Sequence, residues 1–150
     1  MSMLGIFGLC SQESFNKLAA AGGQAEAAEI CREMEVSGQE LENSSCSGEV
    51  FVALFQYLRA AFDVDVRKNA APLGAGWRSF TGDYDMAVFT EAEKALLLPL
   101  ADKLDQKGLD QFVSEFFQLD YGDAGRMAWA ALSANLARLT PDKVLVWRLC

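Results

Sequence analysis

The chain has 150 residues and no histidine. That removes the commonest general base and the commonest metal ligand. A Ser-His-Asp or Cys-His arrangement cannot be assembled within one copy. There are four cysteines, Cys10, Cys31, Cys46 and Cys150, and none forms a CxxC pair. Zinc sites draw on closely spaced Cys/His ligands that pre-set a tetrahedron, so no metal is expected. Basic residues are scarce as well: 13 Lys+Arg stand against 21 Asp+Glu, a formal net charge of -8. A surface this acidic repels phosphate backbones and anionic headgroups, and Arg67–Lys68 is an isolated cationic pair. Neither nucleic acid nor membrane is expected as a partner. No apolar run approaches the ~20 residues that span a bilayer. The longest, Ala95 to Ala101, contains Pro99. The opening MSMLGIFGLC lacks the basic residue and the longer apolar region of a secretory signal. A cytoplasmic setting is the expectation, and disulfides are not expected there. Cys10 and Cys31 read as small buried hydrophobes, and Cys46, in a Ser-rich loop, as exposed.

Apolar residues, by contrast, are plentiful, at 51% of the chain. At this length one domain over residues 1–150 is expected, with its own core. The stretch GEVFVALFQYLRAAFD, from Gly48 to Asp63, organises the rest. Phe51, Leu54, Phe55, Leu58 and Phe62 recur at spacings of three and four, one apolar stripe on a helix, and Val50 and Val52 widen it. A helix this apolar has neighbours on more than one side.

Other elements fall around it. Residues 3–9 suit a strand, with Gly5 and Gly8 placed for a bulge or a close backbone approach. Ser11 caps a helix over 12–21 that turns Phe15, Leu18 and Ala19 inward and stops at Gly22–Gly23. A second helix runs from Gln24 to Val36, and Ser37 to Gly48 is a polar loop. Residues 64–84, with Pro72, Gly74, Gly76 and Gly82, read as one long irregular connection. Residues 85–89 form a short strand, and Thr90 with Glu93 makes a capping box. The helix behind it runs to Lys107, kinked at Pro99 and ended by Gly108, with Leu96, Leu97, Leu100 and Leu104 inward. A helix over 109–119 carries a Phe112, Val113, Phe116, Phe117 stripe. Asp123 caps the next, Ala124 to Leu139, which packs Met127, Ala128, Ala131, Leu132, Leu136 and Leu139. KVLVWRL, residues 143–149, alternates as a strand does. The sum is an α+β, mostly helical domain. Five to six helices surround the central one at 49–63, and strands near 3–9, 85–89 and 143–149 make a small sheet that joins the two ends.

Met3-Leu4-Gly5-Ile6-Phe7 before a Ser-capped helix resembles the opening of the YfbM-like family of small bacterial proteins. Gly48 to Leu54, the Pro72-Leu73-Gly74 loop, the Val88-Phe89-Thr90 step and the ending from Leu139 to Leu149 follow in similar order. Phe51 and Gln56 stand where that family often has Trp and His. The resemblance implies an α+β fold and a bacterial cytosolic setting, and it implies no activity.

Few residues offer chemistry. Cys10, just before a helix start, is the one cysteine placed for activation as a nucleophile. Gly74-Ala75-Gly76 lacks the third glycine and the strand-to-helix setting of a dinucleotide fingerprint, and no Walker lysine follows a glycine loop. No cofactor is therefore expected. Asp83 with Asp85, and Asp120 with Asp123, are paired carboxylates that suit a cation or acid/base work, but Asp is favoured at turns for backbone reasons alone. Two functions follow. The first is a non-catalytic binding module whose acidic surface engages a basic protein partner, as immunity proteins do. Its recognition loop would present Trp77, Arg78, Phe80, Asp83, Tyr84 and Asp85, while the other reading of Trp77 and Phe80, favoured by the area aromatics bury, is as plugs that fold the loop onto the core. The second is a small enzyme or ligand-binding protein using carboxylates and Arg78 near residues 74–85. A self-associating structural protein, a homo-oligomer, is a third.

Overall fold

The structure is a computed structural model that describes residues 5–37, 40–41, 48–68 and 86–149. Its sheet has four strands, all paired antiparallel. In chain order they are β1 (Gly5–Ser11), β2 (Glu40–Leu41), β3 (Met86–Phe89) and β4 (Lys143–Leu149), arranged β2-β1-β4-β3. β1 and β4 pair along their whole lengths, from Gly5 opposite Leu149 to Ser11 opposite Lys143. The three strands expected from the sequence are present, and the sheet brings the opening and closing segments together. β2 lies within the stretch read as a polar loop. Two residues cannot show an alternation, so its pairing of Leu41 with Phe7 left no sequence signal.

Successive strand residues point to opposite faces, so the sheet divides two cores. Phe7, Ala87, Phe89, Leu145 and Trp147 belong to the larger one. Cys10, Val88, Val144 and Val146 belong to the smaller. The smaller core is closed by α1 (Gln12–Ala20) and α2 (Gln24–Ser37), through Leu18, Ala21 and Ala27. Ser11 ends β1 with extended backbone and caps α1, its Oγ accepting from the Ser14 amide at 3.1 Å.

The larger core is built on α3 (Gly48–Phe62), which buries Val50, Phe51, Ala53, Leu54, Phe55 and Leu58 as its pattern requires. Around it come α4 (Glu91–Leu97), a 3-10 turn (Leu98–Asp102), α5 (Gln106–Phe117) and α6 (Ala124–Ala137). The described chain is thus α+β and mostly helical, with six α-helices. The Thr90–Glu93 capping box forms, with the Thr90 amide donating to Glu93 Oε2 at 2.6 Å.

Three details differ from expectation. The helix expected up to Lys107 is two helices. Pro99 has no N–H to continue the ladder, and the chain tightens into the 3-10 turn before restarting at Asp105. Gly108 therefore lies in the first turn of α5, where a Cβ would stand 2.7 Å from Asp105 Oδ2. Leu96, expected inward, is 57% exposed, because the two turns of α4 bury Glu93 and Leu97 instead. Asp123 does not cap α6 with its side chain. Asp110, on α5, does that work.

Gly5 carries the closest approach in the sheet. A Cβ there would lie 2.6 Å from Trp147 Nε1 and 3.0 Å from Phe51 Cδ2. Gly5→Ala is expected to lower stability by about 1–3 kcal/mol through overpacking, read as a lower denaturant midpoint at unchanged slope. Gly8→Ala is the control, since nothing lies within 4 Å of its Cβ, and it should leave the midpoint unchanged or slightly raised.

Candidate functional site

The residues singled out for recognition, Trp77, Arg78, Phe80, Asp83, Tyr84 and Asp85, lie outside the described residues, as do Gly74 and Gly76. The connection is described only to Lys68. There Val66 is buried and its carbonyl accepts from the Val88 amide at 3.4 Å, which ties the start of the loop to β3.

Cys10 was the nucleophile candidate. Its thiol is buried on β1 facing the smaller core. Burial pushes it up to about 11, and the Lys143 ammonium pulls back only part of that. This is the reverse of activation, which lowers a thiol toward neutrality. Because the folded value lies above the ordinary one, the buried thiol contributes fully below the ordinary range. That contribution fades as pH rises toward 11.

The carboxylates divide by role. Asp110 is buried, and its Oδ1 accepts from the Arg126 amide at 2.9 Å. Its Oδ2 accepts from the Arg126 guanidinium Nε at 2.7 Å. One side chain on α5 thus satisfies an orphan amide in the first turn of α6 and pairs with a cation beside it. Gly125 makes room for it, since a Cβ would stand 3.0 Å from Asp110 Oδ1. Asp120 accepts from the Gly122 amide at 2.9 Å, the local turn bond that favours Asp at such positions. Among the described residues no group of three or more His, Cys, Asp and Glu side chains is placed to hold a metal ion. Among them, too, no helix is long and apolar enough to cross a membrane.

A different feature stands out at the surface. At about 100° per residue, Leu109, Phe112, Val113, Phe116 and Phe117 span an arc of roughly 140° on α5, and Leu119 follows on its exit. Leu109, Asp110 and Val113 take the buried side. Phe116 is left 46% exposed and Leu119 64% exposed, with Phe112 half-buried between core and water. The Phe112, Val113, Phe116, Phe117 stripe is therefore split along its length: Phe116 lies only about 20° around the helix from the buried Leu109, and the last turn runs past the core.

The exposed flank continues as a row of rings. Tyr57 on α3 meets Phe112 edge-on at 5.5 Å, and Phe112 stacks on Phe116 at 6.4 Å. Phe116 meets Phe117 edge-on at 5.0 Å, and Phe117 lies 4.8 Å from Tyr121. Burial, and then the nearby Asp105 carboxylate, push the Tyr57 phenol up, so this ring stays neutral beside the carboxylate.

The other end is fixed by hydrogen bonds. Gln118 closes α5 in the left-handed conformation, φ 55°, and donates to the Glu115 carbonyl at 3.2 Å. The Leu119 amide donates to the Ser114 carbonyl at 3.1 Å, completing a Schellman motif. Such motifs usually cover the residue in Leu119's place with an apolar side chain from the last turn. Here the two positions are Val113, which is buried, and Ser114, whose hydroxyl accepts from the Tyr121 amide at 3.0 Å. Leu119 is held outward on a rigid turn.

No protein-family model matches the chain, and no curated protein matches it. Among solved structures, the chain is similar to the crystal structure of YfbM from Escherichia coli, a protein described as being of unknown function. The similarity covers 99% of this chain and 100% of that one, at 13% identity and a TM-score of 0.47. It carries no activity across to this chain.

Two expectations follow from the side chains described. Treated with iodoacetamide at neutral pH, the native protein should keep Cys10 unmodified in peptide mass maps. Denaturation should expose it to rapid alkylation. Asp110→Ala strips a buried carboxylate from two donors and should cost about 1.5–3 kcal/mol in chemical unfolding. An unchanged midpoint would show that Asp110 does not hold α5 and α6 together.

Proposed function

We propose that this protein is a non-catalytic protein-binding module of the bacterial cytosol. Its acidic surface engages a basic protein partner, in the manner of an immunity protein that masks a toxin. The observation that carries the reading is the charge: 21 Asp+Glu against 13 Lys+Arg, with no histidine to add to the cations. A net charge of -8 on a chain of this size steers a basic partner into encounter and discriminates against acidic ones. The side chains most open to a chemical role are otherwise engaged. Cys10 has its thiol pushed up by burial, and Asp110 bridges two helices. An exposed Phe and an exposed Leu on a fixed turn give such a surface apolar anchors as well as charge.

The test is capture from a bacterial lysate with the protein immobilised, compared at low and high salt. A basic protein retained at low salt and released at high salt is expected, because screening weakens exposed charge pairs. If every retained protein is insensitive to salt, or none is retained, the reading fails.

A further inference from the structure

The protein-binding reading leaves open which face is used and what chemistry it selects, and the inference here rests on that reading. The flank of α5 is the largest departure from a covered apolar surface among the described residues, with Phe116 and Leu119 as two of the three exposed large hydrophobic side chains. It is also preformed. The rings of Phe112 and Phe116 are stacked, and the Schellman turn with the Ser114–Tyr121 bond fixes Leu119. A surface ordered before binding loses little conformational entropy on association.

Its charges are one-sided. Asp105, Glu115, Asp120 and Asp123 are exposed along this stretch, and Lys107 is the one exposed ammonium among them. Asp110 is neutralised by Arg126. At the neighbouring end of α3, Arg59 is followed by Asp63 and Asp65. A second copy of this chain would bring the same carboxylates and a net charge of -8 against them, so the acidic rim opposes self-association here. The backbone of α5 bonds within its own helix and turn, so an added strand finds no ladder. Recognition has to come from side chains.

We propose that the Phe112–Phe116–Leu119 ridge is a docking face for a basic amphipathic helix of a partner protein. The apolar stripe of that helix covers Phe116 and Leu119, and its Lys and Arg residues lie over Asp105, Glu115 and Asp120. This is the helix-on-apolar-surface mode, with anchors at helical spacing and charges setting the register. Burying the central ring and the leucine supplies affinity, and the carboxylates supply selection and rate.

The test uses two synthetic amphipathic peptides of equal length, one of Leu and Lys and one of Leu and Glu, titrated against the full chain. Binding is read by fluorescence anisotropy and by amide chemical-shift changes. The Leu/Lys peptide should bind, shift the amides of residues 112–121 and weaken with salt, and the Leu/Glu peptide should not bind. The double variant Phe116→Ser/Leu119→Ser gives up the ring contacts of Phe116 with Phe112 and Phe117, so it should stay folded with a somewhat lower midpoint and bind at least about tenfold more weakly. Glu115→Gln with Asp120→Asn should reduce the salt dependence while keeping the shifted amides the same. Equal binding of the Leu/Lys peptide to wild type and double variant would overturn the ridge while leaving a charge-driven protein-binding module in place. Equal binding of the two peptides, or no binding of either, would overturn the choice of a basic helix. Failure of the protein-binding reading itself is seen separately, in the salt-dependent capture. Sedimentation gives a further outcome that overturns the proposal: a wild-type dimer that the double variant converts to monomer would make the ridge a self-interface.

Discussion

Five rings meet where α3 crosses the sheet. Phe51 lies 5.3 Å from Phe7 and 5.7 Å from Trp147, and Phe55 lies 4.9 Å from Trp147 and 6.0 Å from Phe89. They come from β1, β4, β3 and α3, so the cluster locks those three strands and the helix in one register. Aromatic side chains bury large areas, and edge-to-face contacts add to that. The cluster accepts costs in return. The Trp147 indole N–H is buried without a hydrogen-bond partner among the described residues, a loss of about 1–3 kcal/mol. Position 5 favours glycine, because a Cβ there would stand 2.6 Å from the indole Nε1. What lies beyond the cluster is arranged by it. The opposite face of the same strands presents Cys10, Met86, Val88, Val144 and Val146, which α1 and α2 cover.

Much of this architecture was readable from periodicity. The spacing of Phe51, Leu54, Phe55 and Leu58 gave the central helix, and the alternation in KVLVWRL gave β4. Ser11 and Thr90 marked helix starts because their side chains bond the first-turn backbone, a purely local matter. Misreadings arose where the deciding contact is distant in sequence. Asp123 sits where a cap belongs, but the acceptor for the α6 amides comes from Asp110, on another helix. Gly108 reads as a stop, yet its freedom from a Cβ serves a contact with Asp105 inside the first turn. The ridge on α5 left no local signal, since Phe116 shares its stripe with the buried Leu109 and Val113. Which part of a wide stripe stays uncovered depends on where α3 and α6 lie, and no local pattern contains that. The loop carrying Trp77 to Asp85 falls outside the described residues.

Rigidity and charge are combined on one side of the larger core. The Asp110–Arg126 bridge holds α5 against α6, and Lys94 reaches across to the Leu139 carbonyl at 2.6 Å, tying α4 to the end of α6. These bonds stiffen the elements that carry the exposed rings. An apolar surface that were merely badly packed would lie on loose turns. This one lies on a helix exit whose amides at Gln118, Leu119 and Tyr121 are all bonded.

The pairing of β1 with β4 has a consequence for how the chain comes to be folded. The two inner strands are separated by nearly everything between them, so closing the sheet means closing a very long loop. During synthesis β1 has no long partner until β4 leaves the ribosome. Until then Phe7 and the apolar face of α3 lack the indole that covers them. Helices can form early, but the sheet is a late event, and topologies dominated by such distant pairings fold slowly. The nascent chain therefore carries an open strand edge and uncovered rings for most of its translation, the condition in which molecular chaperones bind.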